Sequence, residues 1–290
     1  MRYGVVGTGF WAREVHTHAL DTGANTDLVG VWGRDPAKAT ELAARHDVLA
    51  YPSPAAMFAE VDAVAFAVPP HVQAPLAVQA ASAGCHLLLE KPVALEIDTA
   101  RAVASAAETN GVASVVFFTS RFVPAVASWL DRVRADGGWW GARSTVLAAV
   151  LGTDGPFADS PWRHEHGGLW DVGPHALSLI LPVLGPVDQV TGIRGPRDSV
   201  QLALHHQGGG ASSLLLSLDA PPAAARTEFA VFGEPGWEQV PDDHGVDAVE
   251  SFHHAAEALQ RAVDGTPHPC DVRFGVEVVE ILARAQQQLG

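Results

Sequence analysis

Tyr3-Gly4-Val5-Val6-Gly7-Thr8-Gly9-Phe10-Trp11-Ala12 joins an apolar, strand-like run to a glycine-spaced turn, with a helical pattern from about Phe10 to Leu20 behind it. Gly7 permits a tight bend and Gly9 lets the backbone approach a pyrophosphate. The helix N-terminus beyond them offers the positive end of a dipole and unpaired N–H groups. Ala12 stands where a third glycine is usual and is still small enough for close helix–strand packing. A second strand over Asp27–Trp32 completes a βαβ unit of about 30 residues. Gly7, Thr8, Gly9, Phe10 and Trp11 are therefore the expected contacts of a dinucleotide.

The alternation continues outward from this unit. Pro36–His46 reads as a helix with Asp35 at its N-cap, and Val61–Val68 as an apolar strand stopped by Pro69-Pro70. Pro75–Ala83 is helical, Cys85–Leu89 a strand, Glu96–Thr109 an alanine-rich helix and Val112–Phe118 a further buried strand. Strands that are apolar on both faces and alternate with helices predict an α/β fold with a doubly wound parallel sheet over residues 1–119, a Rossmann domain. In such sheets ligands bind beyond the carboxyl ends of the strands. This draws notice to His86-Leu87-Leu88-Leu89-Glu90-Lys91-Pro92, where an apolar strand stops at an acid, a base and a proline. The proline restricts the preceding residue to extended conformations, so Lys91 is held on a stiff support at a strand end.

The end of the second strand bears on the choice of dinucleotide. In Val31-Trp32-Gly33-Arg34-Asp35, Gly33 occupies the place of the acid that would bind ribose hydroxyls, and Arg34 follows it. A guanidinium there suits a 2′-phosphate and can lie on the adenine. Asp35 is better used as a helix cap. NADP is the expected cofactor, with NAD as the alternative.

Composition excludes several other classes. Of 290 residues, 48% are hydrophobic and 18% charged, as in a folded globular protein rather than a disordered one. A formal net charge of −15 argues against nucleic acid or an anionic membrane surface as a partner, since both need a basic footprint. No stretch reaches the 18 apolar residues of a membrane span, and no signal-peptide pattern follows Met1. Cys85 and Cys270 are the only cysteines and form no CxxC, which fits a reducing cytoplasm. Of the 14 histidines, eight fall into adjacent or two-apart pairs (His16/His18, His164/His166, His205/His206 and His253/His254), which does not present two imidazoles on one helix face, and there is no HExxH, so no metal site is expected.

Past Phe118 the pattern changes. An amphipathic helix to about Ala135, a strand at Arg143–Leu151 and a long loop at Gly152–Gly168 are followed by a helix from near Asp171 or Gly173 to Leu184. Strand-like runs then lie at Val187–Ile193, Ser199–His206, Ala211–Leu218 and Thr227–Phe232, with helices at Val246–Val263 and Gly275–Leu289. Residues 120–290 thus read as an α+β substrate-binding and oligomerisation domain on an open, mostly antiparallel sheet. Its uncovered face predicts a homodimer or homotetramer. Within it, Asp171 and His175 are four residues apart and would share a helix face, the carboxylate orienting one ring nitrogen and leaving the other for proton transfer.

The glycine turn, Glu90-Lys91-Pro92 after the fifth strand, and Gly167-Gly168-x-x-Asp171-x-Gly173-x-His175, in this order, resemble the glucose–fructose oxidoreductase/inositol dehydrogenase/MocA family. Val68-Pro69-Pro70, Ser120-Arg121-Phe122-Val123-Pro124 and Trp162-Arg163 extend the resemblance along essentially the whole chain. Two departures stand out: Gln73 where relatives often carry histidine, and two glycines in place of a triplet.

The resemblance implies an NAD(P)-dependent dehydrogenase or reductase acting on a secondary hydroxyl or carbonyl of a sugar, polyol or similar small molecule. Lys91, Asp171 and His175 would line its catalytic site, and the Lys91-Pro92 bond would be cis. It further implies that Val68, Pro69, Pro70 and Glu90 flank the cofactor, that Trp162 and Arg163 close over nicotinamide or substrate, and that Arg121 helps position the substrate. Two other classes compete: a non-catalytic dinucleotide-binding regulator, and an NAD-dependent glycosidase on the same fold.

Overall fold

The computed structural model describes residues 1–151, 155–241 and 247–289. The chain divides into two compact units, Met1–Phe122 with Gly245–Glu277, and Val123–His244 with Val278–Gly290.

In the first unit, β1 (Arg2–Val6) leads through the glycine turn into a helical stretch whose Ala12–His16 portion is π-helical and whose end is α1 (Thr17–Thr22). Then follow β2 (Asp27–Trp32), α2 (Pro36–Arg45), β3 (Leu49–Ala50), α3 (Pro54–Phe58), β4 (Ala63–Phe66), α4 (Pro70–Ser82), β5 (His86–Glu90), α5 (Ile97–Thr109) and β6 (Ser114–Phe117). The six strands pair in parallel in the order β3-β2-β1-β4-β5-β6. The chain reverses its winding at β1 and β4, which makes the crevice outside their carboxyl ends the place for a ligand. The strand interiors explain the parallel sheet: Leu87, Leu88 and Leu89 are at most 1% exposed, each stabilising the core by about 2 kcal/mol.

The helix expected at Pro75–Ala83 starts earlier, at Pro70, because a proline suits the first helical position; Pro75 then lies inside it. The strand expected over Val61–Val68 is confined to Ala63–Phe66.

In the second unit, α6 (Pro124–Asp136), β7 (Trp139–Leu147), α7 (Pro161–Asp171) and α8 (Gly173–Leu184) precede β8 (Val187–Arg194), β9 (Val200–His206), β10 (Ala211–Ser217), β11 (Arg226–Gly233) and β12 (Gly236–Gln239). The sheet order is β12-β11-β7-β10-β9-β8, and β7–β10 is the one parallel pairing among the described strands of this sheet. Buried and exposed residues alternate strictly along β9, one face packed and the other open. The loop expected at Gly152–Gly168 is helical from Pro161 onward, since Ser160-Pro161 is a helix start that the later glycines obscured. Residues 152–154 of that loop and Val246 of the expected closing helix lie outside the described residues.

The closing helices are α9 (Ala248–Val263) and α10 (Val272–Leu289). The division expected at 119/120 differs from the observed units in the placing of α9, which packs on β5 and β6 of the first unit. The physical reason is its apolar stripe of Phe252, Ala255, Ala256 and Leu259, buried to at most 3% exposure, which covers one face of the parallel sheet.

Candidate functional site

In the first unit, the turn after β1 meets its requirements closely. Gly7 has φ +132°, and a Cβ there would collide with the carbonyl oxygen of Ala67, so only glycine fits. Its N–H donates to Trp32 O at 2.8 Å, tying the turn to the end of β2. A Cβ on Gly9 would meet nothing within 4 Å, so the backbone there is open to a ligand. The first backbone bond of the helix runs from Arg13 N–H to Gly9 O at 3.0 Å, leaving the preceding amides at the helix end. This cradle fits a pyrophosphate bound by Gly7, Thr8, Gly9, Phe10 and Trp11.

Gly33 is buried one residue past β2, and a Cβ on it would lie 2.6 Å from the Thr8 methyl. Arg34 beside it is exposed. Asp35 is engaged as the N-cap of α2, its Oδ1 accepting from Ala37 N at 3.0 Å and Lys38 N at 3.3 Å.

Val68, Pro69 and Pro70 carry the chain from β4 into α4, with Pro69 O accepting from Val72 N and Gln73 N, each at 2.9 Å. Gln73 is fully buried and turned toward the end of β5. Its amide oxygen accepts from Glu90 N at 2.8 Å, and its amide nitrogen donates to Glu90 O at 2.8 Å and to Pro92 O and Val93 O at 3.2 Å. The Glu90 carboxylate accepts from Lys91 N at 3.2 Å through Oε2 and meets His16 Nε2 at 3.1 Å through Oε1. Lys91-Pro92 is cis, as the resemblance implied. Because β1, β4 and β5 are parallel neighbours, the glycine turn and Lys91 share one edge of the sheet.

Arg121 is 7% exposed within a 3-10 turn (Thr119–Phe122), its guanidinium 5.9 Å from the centre of the Phe274 ring. His268 stacks on Phe122 at 4.9 Å. Burial, together with the charges of Arg121 and Arg261, pushes the His268 imidazole down to about 4.

In the second unit, α7 is kinked at Gly167 (φ +60°), and Gly168 is packed so tightly that a Cβ would stand 2.8 Å from Ser217 N and Cα. Asp198 holds this kink. Its carboxylate accepts from Gly168 N at 2.8 Å, from Leu218 N and Asp219 N at 3.1 Å and from the Ser217 hydroxyl at 2.5 Å. Beyond the kink, Asp171 ends α7, Val172 stays in the right-handed helical region, and His175 follows in the first turn of α8. Asp171 is buried and His175 half-buried.

Arg163 Nε donates to Asp171 Oδ2 at 2.9 Å, and its guanidinium lies 4.3 Å from the ring centre of Phe157 and 4.7 Å from that of Trp162. Trp162 is 8% exposed. The pair from Trp162-Arg163 is thus gathered around Asp171 within its own unit.

Sequence reasoning missed His16 and Asp198. Neither sits in a spacing that announces its partner, and Asp198 acts from a left-handed turn (φ +52°) 30 residues away from Gly168. Among the described residues no cluster of three or more His, Cys, Asp or Glu side chains has metal-binding placement, and no helix is long and apolar enough to cross a membrane.

Residues 1–118 match the family model described as an oxidoreductase family with an NAD-binding Rossmann fold. A UDP-N-acetylglucosamine 3-dehydrogenase of Acidithiobacillus ferrooxidans is 35% identical over 206 residues, 70% of this chain and 61% of that enzyme, so the chain spans about three fifths of that relative. The rhizopine catabolism protein MocA of Rhizobium meliloti is 26% identical over 99% of this chain and 95% of its own length. Among solved structures, GenD2 from gentamicin A biosynthesis, in complex with NAD, has the same fold at a TM-score of 0.84 and 24% identity, covering 99% of this chain and 93% of that one. The glycine turn, the cis Lys91-Pro92 turn and the Asp171/His175 pair stand in the family's order, and the first 118 residues match the model of the glucose–fructose oxidoreductase/inositol dehydrogenase/MocA (Gfo/Idh/MocA) oxidoreductase family, whose fold the curated relatives and solved structures share.

Proposed function

We propose that this chain is an NAD(P)-dependent oxidoreductase, with NADP favoured, acting on a secondary hydroxyl or its ketone in a sugar, polyol or sugar derivative. The observation that carries the reading is the shared edge of the first unit's sheet, where the glycine cradle stands at the winding switch and Lys91 at the end of β5, the strand beside β4. Bound there, the dinucleotide supplies the acceptor or donor of a hydride. The protein supplies the rest. Lys91 donates a hydrogen bond to the reacting oxygen and its charge stabilises a developing alkoxide. His175 takes or returns the hydroxyl proton at a ring nitrogen, and Asp171 orients it and binds a neighbouring hydroxyl.

Arg163 supports this assignment by neutralising and orienting Asp171. Trp162 and Arg121 complete the substrate and nicotinamide surroundings. The NADP preference is supported by the Thr8 methyl, which fills the space an acid at position 33 would need, and by the exposed Arg34. Exposed Trp140, Ile193 and Trp237 support self-association through the second unit's sheet as a homodimer or homotetramer. We assign the protein to the cytoplasm, its two cysteines being free and buried.

The test is spectrophotometric turnover of a panel of polyols, sugars and UDP-N-acetylglucosamine with NADP and with NAD, for the wild type and the Lys91→Ala and His175→Ala variants. Both substitutions are expected to reduce turnover at least a hundredfold. Undiminished turnover in both rejects these roles, and a clear preference for NAD rejects the choice of NADP.

A further inference from the structure

We propose that His16 is a positioning residue that couples the helix behind the glycine turn to Lys91 by way of the Glu90 carboxylate. The inference rests on the reading of Lys91 given above.

Glu90 is fixed from three directions. Gln73, fully buried, pairs with both its backbone N–H and its C=O at 2.8 Å. One carboxylate oxygen accepts from the Lys91 amide at 3.2 Å, which ties the side chain to the turn that presents Lys91. The other meets His16 Nε2 at 3.1 Å. His16 is 1% exposed, stacked on Phe252 at 4.1 Å and edge-on to Phe117 at 6.3 Å. Its Nδ1 is buried without a partner. An ionised carboxylate only accepts, so His16 presents Nε2–H, and the orphan at Nδ1 is then a lone pair rather than a stranded donor. A leucine or phenylalanine would fill this apolar slot without leaving a buried polar atom unpaired. The imidazole is explained by its bond to Glu90.

The local backbone serves the same contact. Thr17 N–H closes a wide, π-type turn on Ala12 O, and the Thr17 hydroxyl donates to the same oxygen at 2.8 Å. Such turns are frequent at functional sites. The turn buries Val15, His16 and Thr17 consecutively, a run that the ordinary amphipathic stripe does not provide. His16 is thereby aimed inward from the helix whose first turn forms the pyrophosphate cradle. Anything that draws on that helix end is transmitted through a buried ring to Glu90 and on to Lys91.

The chain has only two lysines, Lys38 and Lys91, so reductive methylation with 13C-formaldehyde gives two side-chain signals beside the N-terminal amine, with Lys38→Arg making the assignment. In His16→Leu the Lys91 signal should move from its wild-type position while the Lys38 signal stays. Added NADP or NAD should shift the wild-type Lys91 signal, and at least half of that response should be lost in His16→Leu. His16→Gln, whose Nε2 still donates to Glu90, should restore both. Glu90→Gln, which weakens the acceptor and leaves the ring in place, should also displace the Lys91 signal, and it decides the matter if His16→Leu does not fold. An unmoved Lys91 signal in Glu90→Gln, or an intact dinucleotide response in folded His16→Leu, overturns the proposal. If the dinucleotide shifts no lysine signal in the wild type, the placing of Lys91 beside the cofactor fails instead, whereas displacement of Lys91 by His16→Leu still upholds its link to His16.

Discussion

Arg163 Nε donates to Asp171 Oδ2 across 2.9 Å, and both ends of this pair lie on a single kinked helix of 11 residues. The pair is closed to solvent, with side chains 12% and 9% exposed. Removing Arg163 therefore takes the neighbouring positive charge from a carboxylate that is closed to solvent. Arg163→Met keeps most of the stem and loses the charge, and should cost about 3 kcal/mol of stability together with at least a tenfold loss of turnover. Urea unfolding with an unchanged slope, alongside steady-state kinetics, checks both; wild-type values in each would make the pair a spectator.

Position 33 gives a prediction about cofactor choice. Gly33→Asp alone brings a side chain against the Thr8 methyl, 2.6 Å from an ideal Cβ, and should weaken both dinucleotides. Adding Thr8→Gly opens the space, and the double variant should move the NADP/NAD preference at least tenfold toward NAD, because an acid at the end of β2 bonds the ribose hydroxyls and repels a 2′-phosphate. Quenching of tryptophan fluorescence on titration with each dinucleotide measures it.

The kink in α7 is another sensitive point. Gly168→Ala places a methyl 2.8 Å from the Ser217 backbone, where no flexible side chain can yield, and should destabilise by 1–3 kcal/mol, roughly the range for overpacking. Asp198→Asn should also lower the melting temperature, since a carboxylate that accepts from Gly168, Leu218 and Asp219 amides becomes an amide with one acceptor oxygen. Thermal denaturation of the two variants would expose an unimportant kink by leaving the midpoint unchanged.

Stability should fall on mild acidification. His268 is held down to about 4, chiefly by burial. Its unfolded value is about 6.5, so between these two values the unfolded chain binds the extra proton and the folded chain does not. The contribution of His268 is present in full above about 6.5, and is lost as pH falls toward 4, by at most about 3 kcal/mol. His86 and His206, also lowered mainly by burial, act in the same direction. His268→Asn, which keeps an acceptor for Cys270 N, should flatten the unfolding free energy between pH 6.5 and 4 relative to wild type. An equally steep profile in the variant would assign the loss to other groups.

Much of the first unit was legible because its signals are local. A parallel strand buried on both faces reads as an unbroken apolar run, and a glycine at φ +132° between strand and helix leaves few alternatives. Lys91 was singled out for the same reason, at an abrupt change from leucines to charge. The short β3 (Leu49–Ala50) and β12 (Gly236–Gln239) were missed because two to four residues carry no period. The helix Pro161–Asp171 was hidden by Gly167 and Gly168, which usually stop helices and here kink one. His16 and Asp198 act through partners 74 and 30 residues away, and no pattern in one sequence records such pairings.

The return of α9 to the first unit has a consequence for biosynthesis. The parallel sheet is finished by residues translated after the second sheet, so a nascent chain that has emerged only to Phe122 exposes the face later covered by Phe252, Ala255 and Leu259. Translation normally lets amino-terminal domains fold as they leave the ribosome. Here the amino-terminal unit must wait for its last helix, and a fragment ending near residue 122 should be captured by chaperones or aggregate, whereas the same fragment supplied with a peptide spanning α9 should be rescued.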